Sequence, residues 1–288
     1  MAQQKTEENQ ENEDLIPTIK AKWIFENYTY INEFNLQNIL ESFPKTLKEG
    51  NELKFPKYLY KFYGKNDFSI DALLKGYLYF SSPRNFNDPF DCITNREKFI
   101  LKGSEFLQDH RNQIGVSCFS LHNDNPLMWG HYTNNYNGFC LKFKAAETFD
   151  KTKINHLAHV SYLKNYSPTN KDLSRVLKEI DDMTILTIKQ KSHMKNMITL
   201  RFEYTWKYYD WQYENEFRAI SWKTDSFNRK LEIDKNVIKE IYIGHNMIKN
   251  DTKYYDLLIH LIRNNYPKTK IYVVEPDPLV VKINFREI

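Results

Sequence analysis

"DWQYENEFRAISW", residues 210–222, sets the reading of the fold because its charges alternate within a run of aromatic and aliphatic residues. In a strand alternate side chains share a face, so Glu214, Glu216 and Arg218 line one surface while Tyr213, Asn215, Phe217 and Ala219 take the other. On this reading the two carboxylates stand about 7 Å apart along one face. The plainest account of such a row is the solvated face of an edge strand, whose cross-strand pairs contribute little. The chemical account is an acidic pair held beside a guanidinium.

Working outward, "YLYKFYG" (58–64) predicts a strand and "NDFSIDALLKG" a short helix, with Asp67 or Ser69 as N-cap and Gly76 as its stop. "YLYFSSP" (77–83) predicts a second strand, and "FNDPFD" (86–91) a turn in which Asn87, Asp88 and Asp91 either satisfy backbone or position a ligand. Residues 94–110 read as helical, "GVSCFSL" (115–121) as a strand, and "NDNPLMWGHYTNN" as a helix capped by Asn123 or Asp124. "GFCLKFK" and "NHLAHVSYL" predict strands, and 170–200 one long polar helix. "KLEID", "IKEIYIGH", "KIYVVE" and "LVVKINF" predict closing strands around an amphipathic helix over 253–265. Upstream, Phe34, Leu36, Ile39, Leu40 and Phe43 fall near helical spacing before Pro44. The expected organisation is an acidic disordered tail (1–14), a helical lead-in (15–54) and a single α+β domain (55–288).

Composition narrows the class. Aromatic residues make up 15% of 288, which suits a folded, strand-rich protein. The formal charge is +4, and setting aside the first fourteen residues leaves 40 basic and 32 acidic side chains, or +8. This mild excess is compatible with an anionic nucleotide or polynucleotide ligand. Three cysteines without CxxC spacing suggest neither a disulfide framework nor a zinc knuckle. The N-terminus has no signal-peptide pattern and no run of about eighteen apolar residues occurs, so the expectation is a cytoplasmic protein with no membrane partner.

Common nucleotide-binding and hydrolase signatures are missing: there is no GxxxxGK[ST], GxGxxG, GxSxG or HExxH. The histidines show no ligand spacing, so no metal is expected. In "NPLMWGHYTNNYNGFCLKF" (125–143), Met128 reads as core, whereas Trp129, His131 and Tyr132 each carry a polar tip and could wall a flat ring.

"YLYKFYG", "YLYFSSPRNFNDPFDC", "VSCFS", "NPLMWGHYTNNYNGFCLKF" and "WQYENEFRAI", in this order, resemble the bacterial family called domain of unknown function 2971, over roughly residues 58–245. The layout also resembles the ADP-ribosyltransferase fold. That resemblance implies an α+β protein with a mixed or antiparallel split sheet and flanking helices, acting on NAD as substrate. It places Lys61 or Tyr60 on the first strand against the NAD ribose, Ser81 and Ser82 on the second, and Glu214-x-Glu216 on the late catalytic strand. Lys61 departs from the His or Arg the fold expects there, although a lysine can still donate to a ribose or phosphate.

In glycosyl transfer from NAD, departing nicotinamide leaves an oxocarbenium-like ribose that a placed carboxylate stabilises. The resemblance implies that role for Glu216 and, for Glu214, that of the base toward an acceptor, protein or nucleic acid, or toward water in NAD hydrolysis. Arg218 and Lys61 become phosphate or ribose anchors, or Arg218 holds a carboxylate in place, and Trp129 with Tyr132 forms a stacking surface. Such an activity would suit a toxin or phage-defence effector. The alternative class is a nucleic-acid-binding protein or Mg-dependent nuclease, with Asp88, Asp91, Glu214 and Glu216 as metal ligands. A third is a partner-binding protein whose acidic pair is only surface.

Overall fold

The computed structural model describes residues 18–35, 44–88, 90–92, 113–149, 153–165 and 170–288. The expected acidic tail and the helix over 94–110 lie outside these residues.

The lead-in is a sheet. Strands β1 (Thr18–Phe25), β2 (Tyr28–Asn35), β3 (Lys45–Lys48) and β4 (Asn51–Glu52) pair antiparallel in sequence order. "TIKAKWIF" alternates exposed and buried along its whole length, placing Ile19, Ala21, Trp23 and Phe25 inward, so its period is two. The helical spacing expected over 15–54 leaned on Leu36, Ile39, Leu40 and Phe43, which fall outside the described residues. Phe34 belongs to β2 and is fully buried.

In chain order there follow β5 (Tyr58–Tyr63), β6 (Tyr77–Tyr79), β7 (Gly115–Ser120), β8 (Phe139–Lys144), β9 (His156–His159), β10 (Ser161–Leu163), β11 (Trp206–Tyr208), β12 (Glu216–Ser221), β13 (Lys230–Glu232), β14 (Ile238–Gly244), β15 (Lys270–Pro276) and β16 (Ile283–Glu287). Eight of them make the main sheet, in the order β16-β15-β14-β8-β5-β7-β12-β9. β14 and β15 run parallel and the other neighbours antiparallel. The fold is thus mixed α+β. β6 and β13 form a separate ribbon, so "YLYFSSP" does not join the main sheet as a full strand.

The join between β5 and β7 is thin. β5 shares six residue pairs with β8 but meets β7 at the single pair Tyr60↔Ser120. The sheet therefore parts in its middle, with five strands on one side of a seam and three on the other.

Helices are α1 (Asp67–Lys75), α2 (Pro126–Tyr132), α3 (Ala145–Thr148), α4 (Lys171–Asp182), α5 (Ile188–Tyr204), α6 (His245–Asn250) and α7 (Thr252–Asn265). Asn66, one residue before the expected caps, accepts from the Ser69 amide, and Gly76 ends α1 at φ 73, where a side chain would be strained. Asn125 caps α2 in place of Asn123 or Asp124. Leu73, Met247, Leu258 and Ile262 of α1, α6 and α7 pack with Leu59, Phe143, Phe217 and Ile241 of the main sheet in one core.

The long helix expected over 170–200 is two. Thr187 and Gln190 form a reciprocal capping box that starts α5 anew. Leu173, Val176, Leu177 and Ile180 of α4 cluster with Trp23, Tyr30 and Phe34 of the N-terminal sheet, so the amphipathic face covers a core. Arg201 of α5, fully buried, donates to Asn32 Oδ1 at 2.7 Å and Thr46 Oγ1 at 2.8 Å, tying helix to sheet.

Candidate active site at the seam of the sheet

The two glutamates do not share a strand face. Tyr209–Glu214 is a 3-10 turn, Asn215 adopts the left-handed φ of 45, and β12 begins only at Glu216. Asn tolerates that conformation better than most residues, so "ENE" is a corner and not a run of strand. The corner still brings the carboxylates together: Lys207 Nζ donates to Glu214 Oε2 and stands 3.2 Å from Glu216 Oε2 and 3.5 Å from Asp91 Oδ2.

Nor is the row solvated. Glu214, Glu216 and Arg218 are 3%, 4% and 0% exposed, and β12 lies between β7 and β9, which overturns the wet edge-strand account. Desolvating charges at this depth is costly unless each is paired, and here the pairing is dense. Arg218 Nε donates to Glu216 Oε1 at 2.7 Å and its Nη2 to Glu216 Oε2 at 3.0 Å. The same guanidinium forks onto Asp91, Nη1 donating to Oδ1 at 2.9 Å and Nη2 to Oδ2 at 2.6 Å, and Nη1 also donates to the Tyr204 carbonyl at 2.8 Å. All five guanidinium N–H groups are thus directed at protein partners. Arg218 is a clamp on two carboxylates, and its assignment as a phosphate or ribose anchor is corrected.

Charge states differ between the glutamates. For Glu216, burial acts to raise the pKa, but the charges of Arg218 and Lys207 outweigh it and hold the carboxyl well below the usual range. Glu214 lacks the guanidinium: burial and the neighbouring Glu216 charge push it up to about 7, against the pull of Lys207 and the donated Tyr132 hydroxyl. The Lys207 ammonium is disfavoured by burial and rescued by Glu216, Glu214 and Asp91, which together keep it protonated. The two carboxyls are thus pushed in opposite directions, Glu216 toward its charged form and Glu214 toward its neutral one, a divergence of the kind acid–base sites use.

Asp91, Lys207, Glu214 and Glu216 line a cavity of about 440 Å3 at the seam between β5 and β7. Tyr60, Lys61, Ser81, Asn87, Asp91, Tyr132, Glu214 and Glu216, all singled out from the sequence, line it. Lys61 Nζ reaches across the opening to the Cys118 carbonyl at 3.0 Å, and burial lowers its pKa. Ser81 bridges the β7 edge at Val116, with amide–carbonyl distances of 3.0 and 2.9 Å.

Other expected residues stand elsewhere. Ser82 precedes the 3-10 turn Pro83–Asn85 and does not line the cavity. Trp129 is fully buried, bonded through Nε1 to the Asn123 carbonyl at 2.7 Å and stacked on Tyr136, so it is core and no ligand ring reaches it. Tyr132 reaches the cavity without it, while Met128, expected only in the core, also lines the wall. Asp88 is buried in the turn, accepting the Phe90 amide at 2.8 Å, which is its structural reading; it does not line the cavity.

Lys207 was not among the candidates. The three-residue strand β11 gives no period to mark it, and its only signal is a lone cation within "TWKYYDW". Among the described residues no group of His, Cys, Asp and Glu is arranged to hold a metal ion, and the point shared by Asp91, Glu214 and Glu216 is filled by the Lys207 ammonium. No helix among the described residues is long and apolar enough to cross a membrane.

No curated protein and no solved structure matches this chain. Residues 128–219, which carry "MWGHYTNNYNGFCLKF" and "YENEFRA", match the family model described as Protein of unknown function (DUF2971).

Proposed function

We propose that the chain is an NAD-consuming enzyme of the ADP-ribosyltransferase type, releasing nicotinamide from NAD bound in the seam and passing ADP-ribose to water or another acceptor. The observation that carries the reading is the pair of unlike carboxylates lining the cavity. The parting of the sheet at the site fits the split-sheet layout of that fold, and a cavity of about 440 Å3 lies within the range of small-molecule sites.

The chemistry needs little else from the protein. The C1′–N bond of NAD breaks with its electron pair leaving on nicotinamide, which departs neutral, so no general acid is required. Positive charge then develops on the ribose, and the fixed charge of Glu216 stabilises it. Glu214 accepts the proton of the incoming water or acceptor as the new bond to C1′ forms. Tyr132 and Lys207 orient Glu214, Arg218 orients Glu216, and Lys61 donates to a ribose or phosphate oxygen from the strand opposite.

The nuclease reading is weaker, because an ammonium stands where the acidic groups would receive magnesium. The test is nicotinamide release from NAD by wild type, Glu216→Gln and Glu214→Gln, with and without EDTA. Release by the wild type that survives EDTA and falls at least about 100-fold in either variant supports the proposal. Equal release by all three, or none by the wild type, overturns it.

A further inference from the structure

The turn that delivers Glu214 carries a second feature. Tyr209, Trp211 and Tyr213 are half-exposed, and they alternate with the exposed Asp210 and Gln212. From the cavity outward, His131 lies 6.1 Å from Tyr213 between ring centroids, and Tyr213 lies 6.0 Å from Trp211, with interplanar angles of 34° and 35°. His131 itself lines the cavity. His131, Tyr213 and Trp211 therefore form a shelf of rings continuous with the mouth of the site. The shelf is fixed from beneath: Asn125, the cap of α2, donates to the Tyr213 carbonyl at 3.1 Å, and the Lys207 ammonium sits 5.0 Å from the Trp211 centroid. At Tyr209, the Lys164 ammonium stands 4.6 Å from the ring centroid.

We infer that this shelf binds the bases of a single-stranded nucleic acid and presents them to the cavity. Flat faces interrupted by polar side chains suit nucleobases, which stack on rings and hydrogen-bond at their edges. They suit a protein partner less well, because Asp210 and Gln212 break up the continuous apolar area such a partner would cover. Lys164, exposed over Tyr209 at the start of the same turn, offers a phosphate backbone a cation, and the basic excess of the chain favours the same polyanion. The role of that strand as acceptor rests on the NAD reading, whereas its binding does not. As acceptor, an amine of the base replaces water: its lone pair forms the bond to C1′, nicotinamide leaves with the pair of the broken bond, and the amine proton passes to Glu214.

The experiment is fluorescence anisotropy of a labelled single-stranded DNA oligonucleotide titrated with the full chain and with Trp211→Leu, Trp211→Phe and Lys164→Gln, each checked for an unchanged melting temperature. Nicotinamide release in the absence of oligonucleotide is followed in parallel. The expected result is salt-sensitive binding by the wild type, weakened about tenfold or more in Trp211→Leu and largely kept in Trp211→Phe. Lys164→Gln should flatten the salt dependence. No binding by the wild type, or equal affinity in Trp211→Leu, overturns the inference. So does a Trp211→Leu variant that binds the oligonucleotide normally while its KM for NAD rises, because the shelf would then hold the adenine of NAD. Oligonucleotide binding without nicotinamide release would sink the NAD reading and leave the shelf standing.

Discussion

Replacing Arg218 by Met separates a buried charge cluster from an ordinary ion pair. The substitution removes five directed N–H donors and leaves Asp91 and Glu216, 3% and 4% exposed, with Lys207 as the cation within ion-pair distance and Lys61 acting on Glu216 from farther away. Removing one partner of a buried pair costs about 3–5 kcal/mol, where an exposed pair costs about 0–1 kcal/mol. Against a total stability of about 5–15 kcal/mol, the variant should remain folded but with its urea midpoint sharply lowered. The loss should depend on pH. Glu216 is held below its ordinary 4.5, so the stability it draws from Arg218 is present above that value and disappears as pH falls through the folded pKa. The gap between variant and wild type is therefore largest near neutrality and narrows in acid. Adding Asp91→Leu and Glu216→Leu to Arg218→Met removes the stranded charges and should recover most of the loss. A single-variant loss under about 1 kcal/mol, or one that does not change with pH, would refute the assignment of Arg218 as the clamp.

The raised pKa of Glu214 predicts that nicotinamide release climbs with pH through about 7 and then levels, because the ionised form is the base; a flat profile in wild type would remove Glu214 from that role. Tyr132→Phe withdraws a donor that favours the ionised form, so the midpoint of the same profile should move to higher pH, and an unmoved midpoint would show that the hydroxyl does not act on Glu214. Gly138→Ala would set a Cβ 2.0 Å from the Tyr63 carbonyl oxygen, and thermal unfolding should report a loss of about 1–3 kcal/mol as β5 and the start of β8 are forced apart. An unchanged melting temperature would mean that the backbone there yields freely.

Much of the domain could be read in advance because its periodic signals are local. "GFCLKFK" and "GVSCFSL" fold as their patterns indicate, the Asp91 amide turns back to the Asp88 carbonyl at 3.1 Å, and the cavity gathers Lys61, Ser81, Tyr132, Glu214 and Glu216 from segments far apart in sequence. What escaped was decided by tertiary contact. Asn215 looks like one more residue of a strand until its left-handed turn is seen, and nothing in "YENEF" announces that the chain corners there. The alternation of "TIKAKWIF" marks a strand by itself, but the apolar residues that follow it to Phe43 repeat at helical spacing. Arg218 presents in sequence as an exposed charge, and only the arrival of Asp91 from the distant turn shows that its donors are spent within the protein.

The seam bears also on how the molecule meets copies of itself. Any open sheet has two flanks whose unpaired backbone can template aggregation, and a sheet that parts in the middle acquires two more. On the β7 side these are guarded by three unlike devices: Ser81 bridges the strand at Val116, the Lys61 ammonium caps the carbonyl of Cys118, and Tyr60 closes on Ser120. Little free edge remains there for a foreign strand to pair with. The opening proposed to take a small molecule thus leaves little backbone for another polypeptide to pair with.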